Sequence, residues 1–170
     1  MTALTSRERL QPSLLDRLTD QEPGNPHDSP DTRMLSLTRL KSSVLRDLAW
    51  LLNATSLLDT ATKRQTPADH SVINFGLPPL AGHSLYSVEV PVLEKLIHQA
   101  IITYEPRILA ATLRVRAETS SDQITFNVLG FEIAGDLWAQ PMVLPLLLRT
   151  ELDLESGHMQ VIPAGNRTRA

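Results

Sequence analysis

Residues 90–118, VPVLEKLIHQAIITYEPRILAATLRVRAE, decide the fold, because the spacing of apolar residues changes period inside them. Leu93, Leu96, Ile97, Ala100, Ile101 and Tyr104 recur at i, i+3, i+4 and i+7, the pattern of an amphipathic helix. Pro91 suits the first turn of that helix, where a missing N–H costs nothing, and Ser87 is placed to cap it. Pro106 disfavours helical geometry at Glu105, so the helix must stop near Tyr104. From Leu113 the period becomes 2. Leu113, Val115 and Ala117 alternate with Arg114, Arg116 and Glu118, as in a half-buried strand.

The same alternation continues downstream. QITFNVLGFEIA (123–134) alternates Ile124, Phe126 and Val128, and Gly130 is a candidate bulge that resets the phase before Phe131 and Ile133. TSSD (119–122) supplies the preceding turn. In LPLLLRTELDLESG (144–157), Leu144, Leu146, Leu148, Leu152 and Leu154 face one way, and Leu147, Arg149, Glu151, Asp153 and Glu155 the other. Ser156-Gly157 then predicts a tight hairpin turn into HMQVI (158–162).

Upstream, SLTRLKSSVLRDLAWLLN (36–53) puts Leu37, Leu40, Val44, Leu48, Leu51 and Leu52 on one helical stripe. Arg39, Ser42, Ser43, Arg46 and Asp47 fall on its polar side. The polar stretch 55–70 reads as a loop, and Val72 to Phe75 as a brief strand before Gly76 and a Pro-Pro turn. LQPSLLDRL (10–18) carries Leu10, Leu14, Leu15 and Leu18 at helical spacing, with Pro12-Ser13 as a helix start and Asp16 in the first turns. QEPGNPHDSPD (21–31) is too rich in Pro, Gly and polar residues to pack. The organisation expected is an N-terminal arm and linker over 1–34, a domain over 35–163 and a flexible tail over 164–170. Its fold class is α+β: two main helices packed on one face of a mainly antiparallel sheet of three to four strands.

Composition narrows the chemistry. The 170 residues contain no cysteine, which excludes a disulfide scaffold, a thiolate zinc site and a cysteine nucleophile. A net charge of −3 gives no general attraction to nucleic acid or anionic lipid. No apolar run approaches the roughly 20 residues that span a bilayer, and the N-terminus lacks the stretch of a secretory signal, so the cytoplasm is the expected compartment. His27, His70, His83, His98 and His158 are scattered without metal-ligand spacing, and no phosphate-binding or nucleophile-elbow motif occurs, so no metal or cofactor is expected. Glu132, Asp136, Glu151, Asp153 and Glu155 could in principle supply a glycosidase pair, but no motif positions a second acid.

Glu105-Pro106-Arg107 stands apart. A carboxylate just past a helix C-terminus meets the negative end of the dipole, while Arg107 is well signed to pair with it or to cap carbonyls. Pro106 stiffens the junction. The segment reads either as a helix stop with an incidental charge pair or as a rigid charged corner that meets a partner.

Taken in order, PSLLDRL, LKSSVLRDLAWLLN, SVINFGLP, the helix closing in EPRI, FEIAGDLWAQP and LLRTELDLESG resemble the TssE family. These are type VI secretion baseplate subunits related to the lysozyme-like wedge proteins of contractile-tail phages. The resemblance runs from about Pro12 to Ile162. It implies a fold like the sheath's handshake domain and a structural role; the family's lysozyme label is not carried over, because this chain shows no acid pair to support catalysis. It also implies contacts with the wedge subunits TssF and TssG and with TssK, and strand addition from the TssB–TssC sheath. The family's charged motif falls on Glu105, Pro106 and Arg107, which would form the partner-binding corner. Two alternatives stay open: a peptidoglycan glycosidase using Glu105, and an anti-adaptor regulator, a class that shares the fold by resemblance.

Overall fold

The computed structural model describes residues 13–19, 37–57, 71–82, 89–118, 127–139 and 143–163. Helices α1 (Leu14–Leu18), α2 (Leu37–Asn53) and α3 (Val90–Tyr104) precede strands β1 (Arg114–Glu118), β2 (Val128–Leu137), β3 (Leu144–Asp153) and β4 (Met159–Pro163). The strands form one sheet in sequence order, each antiparallel to the next. Helix α2 lies against β4, α3 against β1, and the two helices touch. This is the expected α+β arrangement.

The apolar stripes read from the sequence are the ones that build the core. Leu40, Val44, Leu48, Leu51 and Leu52 from α2 meet Leu93, Ile97, Ala100 and Ile101 from α3, all buried. Beneath them lie Leu129, Phe131, Ile133 and Leu137 of β2 and Leu146, Leu148 and Leu152 of β3. Each Leu, Ile, Val or Phe side chain among them contributes about 1.5–3 kcal/mol when fully buried. The opposite sheet face carries Arg114, Arg116, Glu132, Arg149 and Glu151, with Arg149 paired to Glu118 at 3.3 Å.

Several details differ from the sequence reading. Val72–Asn74 is a turn of 3₁₀ helix rather than a strand, closed by Asn74 N–H to Ser71 C=O at 3.0 Å. Its β-branched side chains are exposed, with no strand beside them among the described residues; the pairing falls two residues later, at Leu77 with Thr55. Gly76 makes that approach possible, since a Cβ there would sit 2.1 Å from the Ala54 carbonyl oxygen and its φ is +126°.

Gly130 is no bulge. The register of β2 on β3 runs one to one from Val128↔Asp153 to Leu137↔Leu144. Leu129, Phe131 and Ile133 therefore share the core face without a phase change, and Val128 lies on the other face. Strand β1 begins at Arg114, after a turn in which Leu113 N–H donates to Leu109 C=O at 3.2 Å. The N-cap of α3 is Glu89, without a side-chain cap bond; Ser87, the turn at 119–122, and Ile124 and Phe126 lie outside the described residues.

Two side chains staple distant elements. The Asn53 amide, at the end of α2, accepts from Met159 N–H at 2.9 Å and donates to Met159 C=O at 2.8 Å, filling the outer edge of β4 as a neighbouring strand would. On the opposite edge, Glu94 Oε1 of α3 accepts from Ala117 N–H at 2.7 Å.

Candidate functional site

The chain turns between α3 and β1 at Glu105-Pro106-Arg107, and every side of that turn is fixed. Glu105 N–H closes the helix onto Ile101 C=O at 2.8 Å, and its own C=O accepts from Ile108 N–H at 3.1 Å. Pro106 follows where a helical N–H would be needed, holding Glu105 at φ −122°, ψ 76°. On the far side, Arg107 C=O accepts from Trp138 N–H at 2.7 Å and Leu109 N–H donates to Asp136 C=O at 2.9 Å. The corner is thereby stitched to the end of β2.

This backbone path folds Arg107 over Glu105. Nε donates to Oε1 at 2.6 Å and Nη2 to Oε2 at 2.5 Å, a two-point fork, while Arg107 N–H reaches Oε1 at 3.2 Å. Glu105 is 4% exposed, so its carboxylate points inward with both oxygens engaged. Pro106 is exposed and Arg107 half-buried. The structure thus brings the three residues together in one intramolecular clamp.

The clamp is part of a larger network built from the polar side of α2. Arg107 Nη2 also meets Asp47 Oδ2 at 2.6 Å, and Nη1 donates to Ser43 Oγ at 3.1 Å. Asp47 Oδ1 accepts from Arg46 Nε at 2.9 Å, and Arg46 Nη1 pairs with Asp16 Oδ1 of α1 at 2.7 Å. The Arg46 guanidinium carbon lies 5.3 Å from the centre of the Trp50 ring. Ser43, Arg46 and Asp47 sit three and four apart, the spacing that places residues side by side on a helix. A solvated polar face has the same spacing, so the sequence does not mark these residues as a cluster.

Electrostatically, the network holds three carboxylates and two guanidinium groups, one negative charge in excess. Burial works against the charged form of Asp16, but hydrogen bonds from Arg46, Ser13 and Ser43 outweigh it and hold this carboxyl well below its ordinary range. Burial likewise opposes the Arg107 charge, and Glu105 and Asp47 more than offset it, raising its pKa above the usual arginine value. Among the described residues no group of three or more His, Cys, Asp or Glu is placed to hold a metal ion. Asp153 is spent on the β3–β4 turn, accepting from Ser156 Oγ at 2.7 Å and Glu155 N–H at 2.9 Å.

No helix among the described residues is long and apolar enough to cross a membrane. No curated protein and no solved structure matches the chain. A family model described as baseplate wedge protein gp25 matches residues 38–142, from α2 through α3, the charged corner and β1 to beyond the end of β2. That span is more than half of the 170 residues and holds the whole corner, so the chain belongs to the baseplate wedge protein gp25 family.

Proposed function

We propose that this chain is a structural baseplate subunit of a bacterial type VI secretion system. In that role it joins the TssF–TssG wedge to the base of the TssB–TssC contractile sheath, contacts TssK and helps initiate sheath assembly. It works in the cytoplasm, at the inner face of the inner membrane. Membership of the wedge family supports a baseplate role, and the order of sequence blocks supports the TssE type. The chain is read as arm 1–34, wedge domain 35–163 and tail 164–170.

The observation that carries the reading is the Glu105–Arg107 fork. A glycosidase acid needs a carboxyl free to give its proton to a substrate oxygen. Glu105 instead has both oxygens bound to a guanidinium and almost no exposure. It serves as the positioning residue that fixes Arg107 beside exposed Pro106, and the excess negative charge of the network draws basic groups on the bundled helices of TssF and TssG.

For sheath strands we assign the β1 edge. Ala117 N–H points outward to Glu94, so by antiparallel alternation Val115 turns its N–H and C=O the same way. Beside it runs an open groove of about 590 Å³ lined by Val92, Leu96, His98 and Val115. Each edge is held at one residue, β1 by Glu94 at Ala117 and β4 by Asn53 at Met159, but the β4 edge ends in Pro163, which has no donor.

Co-purification with TssF and TssG tests the role. Wild-type chain is expected in a ternary complex that Arg107→Ala abolishes. Failure of wild type to enter any complex would overturn the scaffold role. Clearing of cell-wall suspensions by wild type but not by Glu105→Gln would replace it with the glycosidase.

A further inference from the structure

Ser43 and Arg46 do more than brace the corner. We propose that together they form a carboxylate seat on α2, which the chain fills with its own Asp16 and which an acidic side chain of a partner protein can take over. The seat offers two donors to two different oxygens: Ser43 Oγ at 2.6 Å from Asp16 Oδ2, and Arg46 Nη1 at 2.7 Å from Oδ1. Such charge-assisted, two-point contact is how a carboxylate is recognised by position as well as by charge.

The seat is organised without Asp16. Arg46 is held from the other side by Asp47, at 2.9 Å from Nε and 2.8 Å from Nη2, and from below by the Trp50 ring. The Ser43 oxygen accepts from Arg107 Nη1 at 3.1 Å and Arg46 Nη2 at 3.3 Å, which leaves its hydroxyl hydrogen to aim at the incoming oxygen. Removing Asp16 disturbs neither set of contacts.

What holds Asp16 in place is almost wholly this contact. Leu14 and Leu18 of α1 are 70% and 73% exposed and Leu15 is 40% exposed, so none of the three leucines of α1 is fully buried. The Ser13 hydroxyl and the Thr19 hydroxyl bond within the segment itself. Lifting α1 therefore removes no member of the core cluster. The network already carries one excess negative charge, so a second carboxylate enters only as Asp16 leaves. Occupation by Asp16 and by a partner exclude each other. Because Ser43 also touches Arg107, the exchange is felt at the charged corner. The proposal rests on the baseplate reading for the identity of the partner alone; its test needs no wedge subunit, so the two fail separately.

The chain has no cysteine, so a nitroxide on Leu18→Cys reports α1 alone. The full-length labelled chain is expected to give an immobilised spectrum, and Asp16→Asn a mobile one with unchanged thermal melting. The probe is a synthetic peptide of residues 12–19, PSLLDRLT, added at about 10 mM to exceed the roughly millimolar effective concentration of a group joined in the same chain. It should release at least half of the label, and its Asp-to-Asn version should need tenfold more. A label still immobilised in Asp16→Asn would overturn the seat. Equal release by both peptides would remove its preference for a carboxylate. Release in Asp16→Asn with none by the Asp peptide would make Asp16 a permanent brace rather than a replaceable occupant.

Discussion

Ser43 and Arg107 lie 64 positions apart in sequence and meet through Arg107 Nη1 and Ser43 Oγ at 3.1 Å. Beside the Arg107–Asp47 pair, that bond joins the middle of α2 to the corner after α3, and through Ser43 it reaches Asp16 of α1. Three separate segments thus share one charged network, and its members are unequal in what they leave behind when removed.

Arg107→Ala should destabilise the fold more than Glu105→Ala. Loss of Arg107 leaves the buried Glu105 carboxylate with only the residue 107 backbone N–H, whereas loss of Glu105 leaves Arg107 its bonds to Asp47 and Ser43. Breaking a buried pair costs about 3–5 kcal/mol. Arg107→Ala belongs in that range, and Glu105→Ala below it because the Arg107 side chain is 23% exposed. Urea unfolding midpoints of the two variants check the order.

Docking of α1 should be insensitive to pH through the neutral range and fail only in acid. Asp16 has its pKa lowered in the folded chain, so its contribution is present above the ordinary value of 3.8 and is lost as pH falls below that value. The nitroxide at position 18 should stay immobilised from about pH 8 to pH 5 and become mobile below the unfolded value. Release near pH 6 would show that some other group controls the segment.

Asn53→Ala should loosen the start of β4. Two backbone groups of Met159 lose their partners at once, each worth about 1–3 kcal/mol where water cannot replace the bond. Hydrogen exchange at Met159 should accelerate at least tenfold while the β2–β3 ladder stays protected. An unchanged rate there would mean that α2 packing alone secures β4.

Gly76→Ala is expected to be among the most damaging small changes in the domain. The new methyl would sit 2.1 Å from the Ala54 carbonyl oxygen, and the +126° φ is one that side chains avoid. Backbone at Leu77 and Ala54 must part to admit it, breaking the Leu77 N–H to Ala54 C=O bond of 2.9 Å. A melting temperature lowered by about 8 °C or more, for a loss of several kcal/mol, is the expected result.

Val115→Pro separates assembly from folding. The outward-turned N–H of Val115 is not part of the β1–β2 ladder, so the fold should survive, while strand addition at that edge loses a donor. Sheath polymerisation on the isolated baseplate should fall with little change in melting. Normal polymerisation would move the sheath contact away from β1.

Much of this architecture was legible in the chain because periodicity reports directly on burial. The 3.6-residue stripe of Leu40, Val44, Leu48 and Leu52, and the alternation Leu146, Leu148, Leu152, are imprints of a core that each element meets on one side only. The stop at Pro106 was legible for the same kind of local reason, a ring that forbids helical geometry before it. The 72–75 segment misled because β-branched residues favour strands only where a neighbour offers a ladder, and none among the described residues runs beside it.

The sequence by itself determined the two long helices, the alternating strands, the α+β order and the place where α3 ends. Each of these depends on residues within a few positions of one another, or on one face being apolar. Only the tertiary structure decided that Gly130 sits in an unbroken register, that Glu105 turns inward onto Arg107, and that Ser43, Arg46, Asp47 and Asp16 form one network with them. Polar side chains carry no periodic signature of their partners. Which charge meets which is settled by the packing of the apolar faces, and that packing brings α1, α2 and the corner after α3 within hydrogen-bond reach.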